Sequence, residues 1–270
     1  MAITGEWVQY GDQVGYFAAP ARAAKPLPSV VVIQEIGGVN GQIQDVTRRI
    51  AAAGYAALAP DLFAVNGARP PALTEERLTE TWAFMQTMPP ASRFDPAIRE
   101  AEIAKLPEDK RTRINETFRS MFSVPQNLPS LVAPLRKAVR YLREERPESK
   151  GRKIGCVGFC MGGGLSALLA CEEPELSAAA MFYGSAPTAE AVAKIACPVI
   201  AFYGANDQRV NAGIPGLESA MRAASKSFEY KIYEGANHAF FNDEAQSYEV
   251  NAARDSYARL LSFFATHLAG

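Results

Sequence analysis

The 270-residue sequence predicts an α/β fold, a mostly parallel central sheet with helices on both faces. Three observations predict it. Short apolar runs, SVVVIQ (29–34) and YAALAP (55–60) among them, recur along the chain with the length of buried strands. Stretches with apolar residues at helical spacing separate most of these runs, the alternation expected of a parallel sheet. A glycine-rich junction, GCVGFCMGGG (155–164), joins one strand to the helix that follows.

In chain order, EWVQYGDQVGYFAAP reads as a hairpin turning at Gly11-Asp12. Proline-rich PLPS leads into SVVVIQ, whose β-branched run suits a strand buried on both faces. IQDVTRRIAAAG has the helical period and stops at Gly54. YAALAP is a strand ended by a proline. KIGCVGF (153–159), AAAMFYG (178–184), PVIAFYG (198–204) and FEYKIYE (228–234) are the later strands. GGGLSALLACEE, TAEAVAKIA, GIPGLESAMRAAS and EVNAARDSYARLLSFFATHL are the helical stretches among and after them. SLVAPLRKAVRYLREE has the period of a helix packed on the sheet.

The expected organisation is a single domain over 1–270 with a helical insertion or cap at about 67–130. Within that insertion, charged helical stretches are broken by Pro70, Pro71, Pro89, Pro90, Pro96 and Pro107. A solvated surface excursion reads equally well from such charged faces.

Composition excludes several classes. With 28 basic and 29 acidic side chains the net charge is −1, which offers no footprint for nucleic acid or an anionic membrane. No apolar run approaches the ~20 residues that span a bilayer. The start, MAITGEWVQYGDQ, lacks the basic and apolar regions of a signal peptide, so a cytoplasmic location is expected. The cysteines are Cys156, Cys160, Cys171 and Cys197, without a CxxC pair or a disulfide framework. Cys156 and Cys160 have only two histidines in the chain to complete a zinc set, and no metal is expected.

Cys160 stands at the carboxyl end of a strand, where ligands collect in open α/β sheets. Gly158-x-Cys160-x-Gly162 is a nucleophile-elbow pattern with cysteine in place of serine. The flanking glycines leave room for a strained turn, and the helix start favours thiolate and offers the Met161 N–H to an oxyanion. The bland alternative is a small buried cysteine in a glycine-rich turn. His238, in EGANHAFFN after a strand, is the expected base; His267 near the C-terminus is expected to be solvated or a helix cap. Asp207, in ANDQRV after PVIAFYG, is the expected orienting acid, although turns also favour Asx residues. The order Cys160, Asp207, His238 is nucleophile, acid, base. Glu35-Ile36-Gly37-Gly38-Val39-Asn40 forms a second glycine loop at a strand end, and the Ile36 N–H is the second expected oxyanion donor.

QEIGGVN, APDLF, GFCMGGG, YGANDQRV and GANHAFF, in order from 34 to 241, resemble the dienelactone hydrolase family of the α/β-hydrolase superfamily. The resemblance implies a Cys160–His238–Asp207 triad, with Glu35 touching the resting thiol and helping to form the thiolate. It also implies an oxyanion hole from Ile36 and Met161, and hydrolysis of an ester or lactone without a cofactor. Two arginines that grip the substrate carboxylate in the family are replaced here by Val65 and Asn242. Neither can supply a bidentate contact. Arg69, Arg77 and Arg93 of the insertion are candidates to rebuild it, and Trp82, Phe240 and Arg69 are the expected substrate-binding residues. The expected partner is a small ester or lactone, bound by a monomer or small homo-oligomer. A general carboxylesterase or thioesterase is the competing enzyme class, and a non-catalytic binding protein on the same fold the competing non-enzyme.

Overall fold

The computed structural model describes residues 2–23, 26–89, 92 and 95–269. Strands β1 (Ile3–Tyr10) and β2 (Gln13–Pro20) form the hairpin, with Gly11 at φ 60° in its turn. Six more strands follow: β3 (Ser29–Ile33), β4 (Ala56–Pro60), β5 (Ile154–Phe159), β6 (Ala178–Phe182), β7 (Val199–Gly204) and β8 (Phe228–Tyr233). Their order in one 8-stranded sheet is β1-β2-β4-β3-β5-β6-β7-β8. The β1–β2 and β2–β4 pairs are antiparallel, and every pairing from β4 to β8 is parallel.

Side chains alternate across this sheet, and each face has its own helices. Val30, Val32, Val157 and Phe159 pack with α1 (Gly41–Ala52) and α10 (Val250–Leu268). Val31, Ile33, Cys156 and Met181 pack with α5 (Val132–Glu144), α6 (Met161–Glu172), α7 (Ala189–Val192) and α9 (Ile214–Ala223). Leu135, Val139 and Leu142 place α5 with its apolar stripe inward, each stabilising the fold by about 1.5–3 kcal/mol. Helix α6 is apolar on every side and is buried almost throughout, as that composition requires.

Between β4 and α5 the chain forms α2 (Glu75–Thr87), α3 (Pro96–Ala104) and α4 (Glu108–Ser123), flanked by 3₁₀ turns at Pro71–Leu73 and Val124–Leu131. The prolines sit at helix starts: Pro96 opens α3 and Pro107 immediately precedes α4. This segment has a small core of its own. Phe63, Leu73, Leu78 and Met121 are buried together, with Trp82 and Phe122 against them. Arg77, rather than being solvated, ties α2 to α4 through Thr117 Oγ1 (3.1 Å), the Arg113 carbonyl (2.7 Å) and Glu116 (3.0 Å).

Candidate active site

Cys160 lies between β5 and α6 at φ 54°, ψ −115°, a backbone conformation rare for a side-chain-bearing residue. Close packing explains the glycines around it. A Cβ on Gly158 would sit 1.8 Å from the Gly162 carbonyl oxygen, and one on Gly162 would sit 2.3 Å from that of Ile33. Both obstacles are backbone, so the turn has no room to relax. Gly158→Ala is therefore expected to destabilise by more than about 3 kcal/mol, at the severe end for overpacking. Gly216 in α9 has open space around its Cα, and Gly216→Ala should gain up to about 1 kcal/mol from helix propensity. Denaturant midpoints of the two variants provide the check.

The turn leaves Cys160 half-buried, while Cys156, Cys171 and Cys197 are buried. Burial pushes the Cys156 and Cys197 thiols up to about 12 and the Cys171 thiol to about 11. Those three are inert at neutral pH.

His238 follows β8, and Cys160 is among the neighbours that raise the pKa of its imidazole. Its Nδ1 meets Asp207 Oδ2 at 2.5 Å. Asp207 caps α8 (Gln208–Asn211), its Oδ1 accepting from the Val210 N–H at 3.4 Å, so the helix start fixes the carboxylate. Burial alone would lower the His238 pKa, but Asp207 and Cys160 outweigh it and push it up to about 10. Burial likewise opposes the Asp207 charge, yet the His238 contact holds its carboxyl below the usual range. Both shifts favour an imidazolium–carboxylate pair. His267 is elsewhere, half-buried in the last turn of α10 with its ring 4.7 Å from that of Phe263.

Glu35 is buried at the end of β3, and its surroundings differ from the expectation. Tyr183 donates its hydroxyl to Oε1 at 3.1 Å and Asn242 donates Nδ2 to Oε2 at 2.8 Å. Both oxygens are thus held by neutral donors instead of the Cys160 thiol. Burial raises the Glu35 pKa, only partly offset by those two bonds and by His238. Sequence reasoning missed Tyr183. It stands at the carboxyl end of β6, at φ 40°, with its ring 5.0 Å from that of His238. Its place at a strand end was the available signal.

The remaining predicted residues divide. Ile36 is half-buried in the loop after β3, and Met161 is the first residue of α6, where its N–H has no acceptor within the helix. Trp82 lines a cleft of about 210 Å³ with Gly37, Leu78 and Met121, beside the Ile36 loop. Phe240 is a correction. It is fully buried, packed on Tyr183 and Tyr233, because the loop after His238 folds its apolar AFF back into the core. Arg69 lines the same cleft, but its Nε bonds Asp61 at 2.6 Å and a terminal nitrogen bonds the Val39 carbonyl at 3.3 Å. With Arg77 also committed, neither arginine is a spare carboxylate ligand; Arg93 lies outside the described residues. Val65 is exposed at a turn, and Asn242 is spent on Glu35.

The model of the dienelactone hydrolase family matches residues 14–268. The chain belongs to the dienelactone hydrolase family. A Saccharolobus solfataricus protein named "putative carboxymethylenebutenolidase" is 37% identical over 245 residues, 90% of this chain and 91% of its own. A protein of Klebsiella pneumoniae named "putative dienelactone hydrolase" has a solved structure. It is 26% identical and superposes at a TM-score of 0.66, covering 98% of this chain and 99% of that one. The dienelactone hydrolase of Anabaena variabilis, 18% identical, shares the fold at a TM-score of 0.61 over 99% of both chains. Membership makes this chain a hydrolase of the ester and lactone type. No helix among the described residues is long and apolar enough to cross a membrane.

Proposed function

We propose that this family member hydrolyses uncharged esters or lactones through a cysteine nucleophile and an acyl-thioester, with Cys160, His238 and Asp207 as the triad. The observation that carries the reading is Cys160 in a strained strand-to-helix turn beside an imidazole whose far nitrogen is held by Asp207. Cys160 passes its proton to His238, and the thiolate attacks the acyl carbonyl. The oxyanion accepts from the Ile36 and Met161 N–H groups, each worth about 3 kcal/mol by comparison with other oxyanion holes. The imidazolium gives its proton to the leaving alkoxide as the carbon–oxygen bond breaks. Acylation removes the sulfur charge, one of the groups that keeps His238 protonated. The neutral ring then takes a proton from water, which attacks the thioester, and the proton returns to the departing sulfur. A thiolate displaces poor alkoxide leaving groups slowly, so activated esters, enol lactones and thioesters are the preferred class.

The cleft beside the Ile36 loop, whose lining reaches Gly37 but not Cys160 or His238, favours an uncharged group. The Arg69 charge is balanced by Asp61, and the carboxylates of Glu75 and Glu244 share the lining with Leu78, Trp82 and Met121. Among the described residues, a free carboxylate in this cleft would meet no uncommitted cation. A matched lactone pair, acid and neutral methyl ester, tests the reading. An arginine clamp would favour the acid at least tenfold, one charged hydrogen bond being worth about 1.5–3 kcal/mol. The expected kcat/KM for the acid is no greater than for the ester. A strong preference for the acid, abolished by Arg69→Ala, would return carboxylated dienelactones as substrates.

A further inference from the structure

We propose that the free edge of β8 pairs with β8 of a second copy, antiparallel about a twofold axis at Tyr230, joining the two sheets. β8 ends the sheet, and Glu229, Tyr230, Lys231 and Ile232 are exposed in succession, so the strand projects on both of its faces. Its backbone fixes which residues reach a partner. The Val199 N–H donates to the Ser227 carbonyl and the Ala205 N–H to that of Tyr233. In a parallel ladder such groups alternate, so Ser227, Glu229, Lys231 and Tyr233 point toward β7. Phe228, Tyr230 and Ile232 therefore turn their N–H and C=O groups to the open edge.

Those outward groups permit only certain twofold registers, and charge selects among them. An axis at Glu229 sets that carboxylate against its own copy, and an axis at Lys231 does the same with two ammonium groups. Like charges directly opposite are destabilising. An axis at Tyr230 places Glu229 opposite Lys231 on both sides, at the closely spaced, non-hydrogen-bonded positions. The same register puts Tyr230 against Tyr230 and Phe228 against Ile232, with all their outward N–H and C=O groups paired. Phe228 and Tyr230 already stack, with ring centroids 5.5 Å apart, and Ile232 extends that apolar face. A lysine on an edge strand ordinarily blocks pairing, and here Glu229 cancels that protection in one register. His238 lies in the loop after β8, so the two sites would lie at opposite ends of the joined strands.

Sedimentation velocity on the full chain, over a dilution series from tens to hundreds of micromolar, tests this. The expected boundary moves from the 29.2 kDa chain toward twice that mass as concentration rises. Lys231→Glu should weaken association by about tenfold or more, two opposed pairs becoming like-charged. The double variant Glu229→Lys/Lys231→Glu should restore it, which separates pairing from any loss of folding. Tyr230→Cys should yield an oxidised dimer linked 230 to 230, since hydrogen-bonded antiparallel pairs hold Cα atoms about 5.5 Å apart. A single 29.2 kDa species at the highest concentration would overturn the proposal. So would association indifferent to Lys231→Glu, no rescue in the double variant, or a dimer without the 230–230 peptide on mapping.

Discussion

Cys160→Ala is expected to remove ester hydrolysis by about four orders of magnitude or more while leaving the fold intact, the loss seen when a covalent nucleophile is deleted. The small alanine keeps the volume of the turn nearly unchanged, so circular dichroism and denaturant midpoint should stay close to the parent. Cys156→Ala, Cys171→Ala and Cys197→Ala should keep their activity, because those thiols are packed in the core and burial holds them protonated. Iodoacetamide followed by peptide mapping gives an independent readout: label should appear on Cys160 first. Preferential labelling of Cys171, with turnover preserved, would remove Cys160 from the mechanism. An intact-mass shift of one acyl group on the quenched wild-type enzyme, absent from Cys160→Ala, is the expected sign of the thioester.

The second large effect is at His238. His238→Ala should cost about three orders of magnitude or more in kcat, since it deletes the proposed proton carrier of both half-reactions. Asp207→Asn should cost less, because the acid orients and charges the ring without transferring a proton itself. His267→Ala should be nearly silent. The pH profile separates these roles. The folded-state pKa of His238 is raised from 6.5 to about 10, so the imidazolium persists through neutrality and is lost as pH rises through about 10. The alkaline limb of kcat/KM should follow that loss. Asp207→Asn removes the largest upward influence on the ring, so its limb should move to lower pH. An unmoved limb would mean that Asp207 does not set the imidazole's charge.

Periodicity and strand-end logic located much of this molecule from sequence. Strand runs such as SVVVIQ and KIGCVGF overlap β3 and β5 to within one residue, because a strand buried on both faces admits little but apolar side chains. The elbow glycines were equally readable, since a backbone carbonyl waits where each Cβ would stand. What the sequence left open depended on side-chain direction in loops. Phe240 adjoins the His238 loop just as a substrate-contacting ring would, and only the chain's reversal sends it inward. The sequence places Glu35 at a strand end, but its partners Tyr183 and Asn242 lie 148 and 207 residues away. Arg69 was read as a free cation for the same reason: its partner Asp61 closes on it through a turn that no local pattern announces.

Cys160, Tyr183 and Ala239 all hold a positive φ, and they mark the proposed nucleophile, the Glu35 partner and the loop of His238. Each such residue costs of order 1–3 kcal/mol relative to a relaxed backbone. Selection for thermal endurance alone would accordingly favour glycine at Cys160 and glycine or asparagine at Ala239, whereas at Tyr183, a fully buried ring, the cavity left behind would outweigh the strain relieved. At Cys160 that improvement deletes the sulfur. At Ala239 it frees the backbone next to His238. Directed evolution that screens only for survival on heating should therefore drift toward inactive chains through these positions. Libraries built for hardier variants of this hydrolase would do better to fix both and diversify the exposed helices instead.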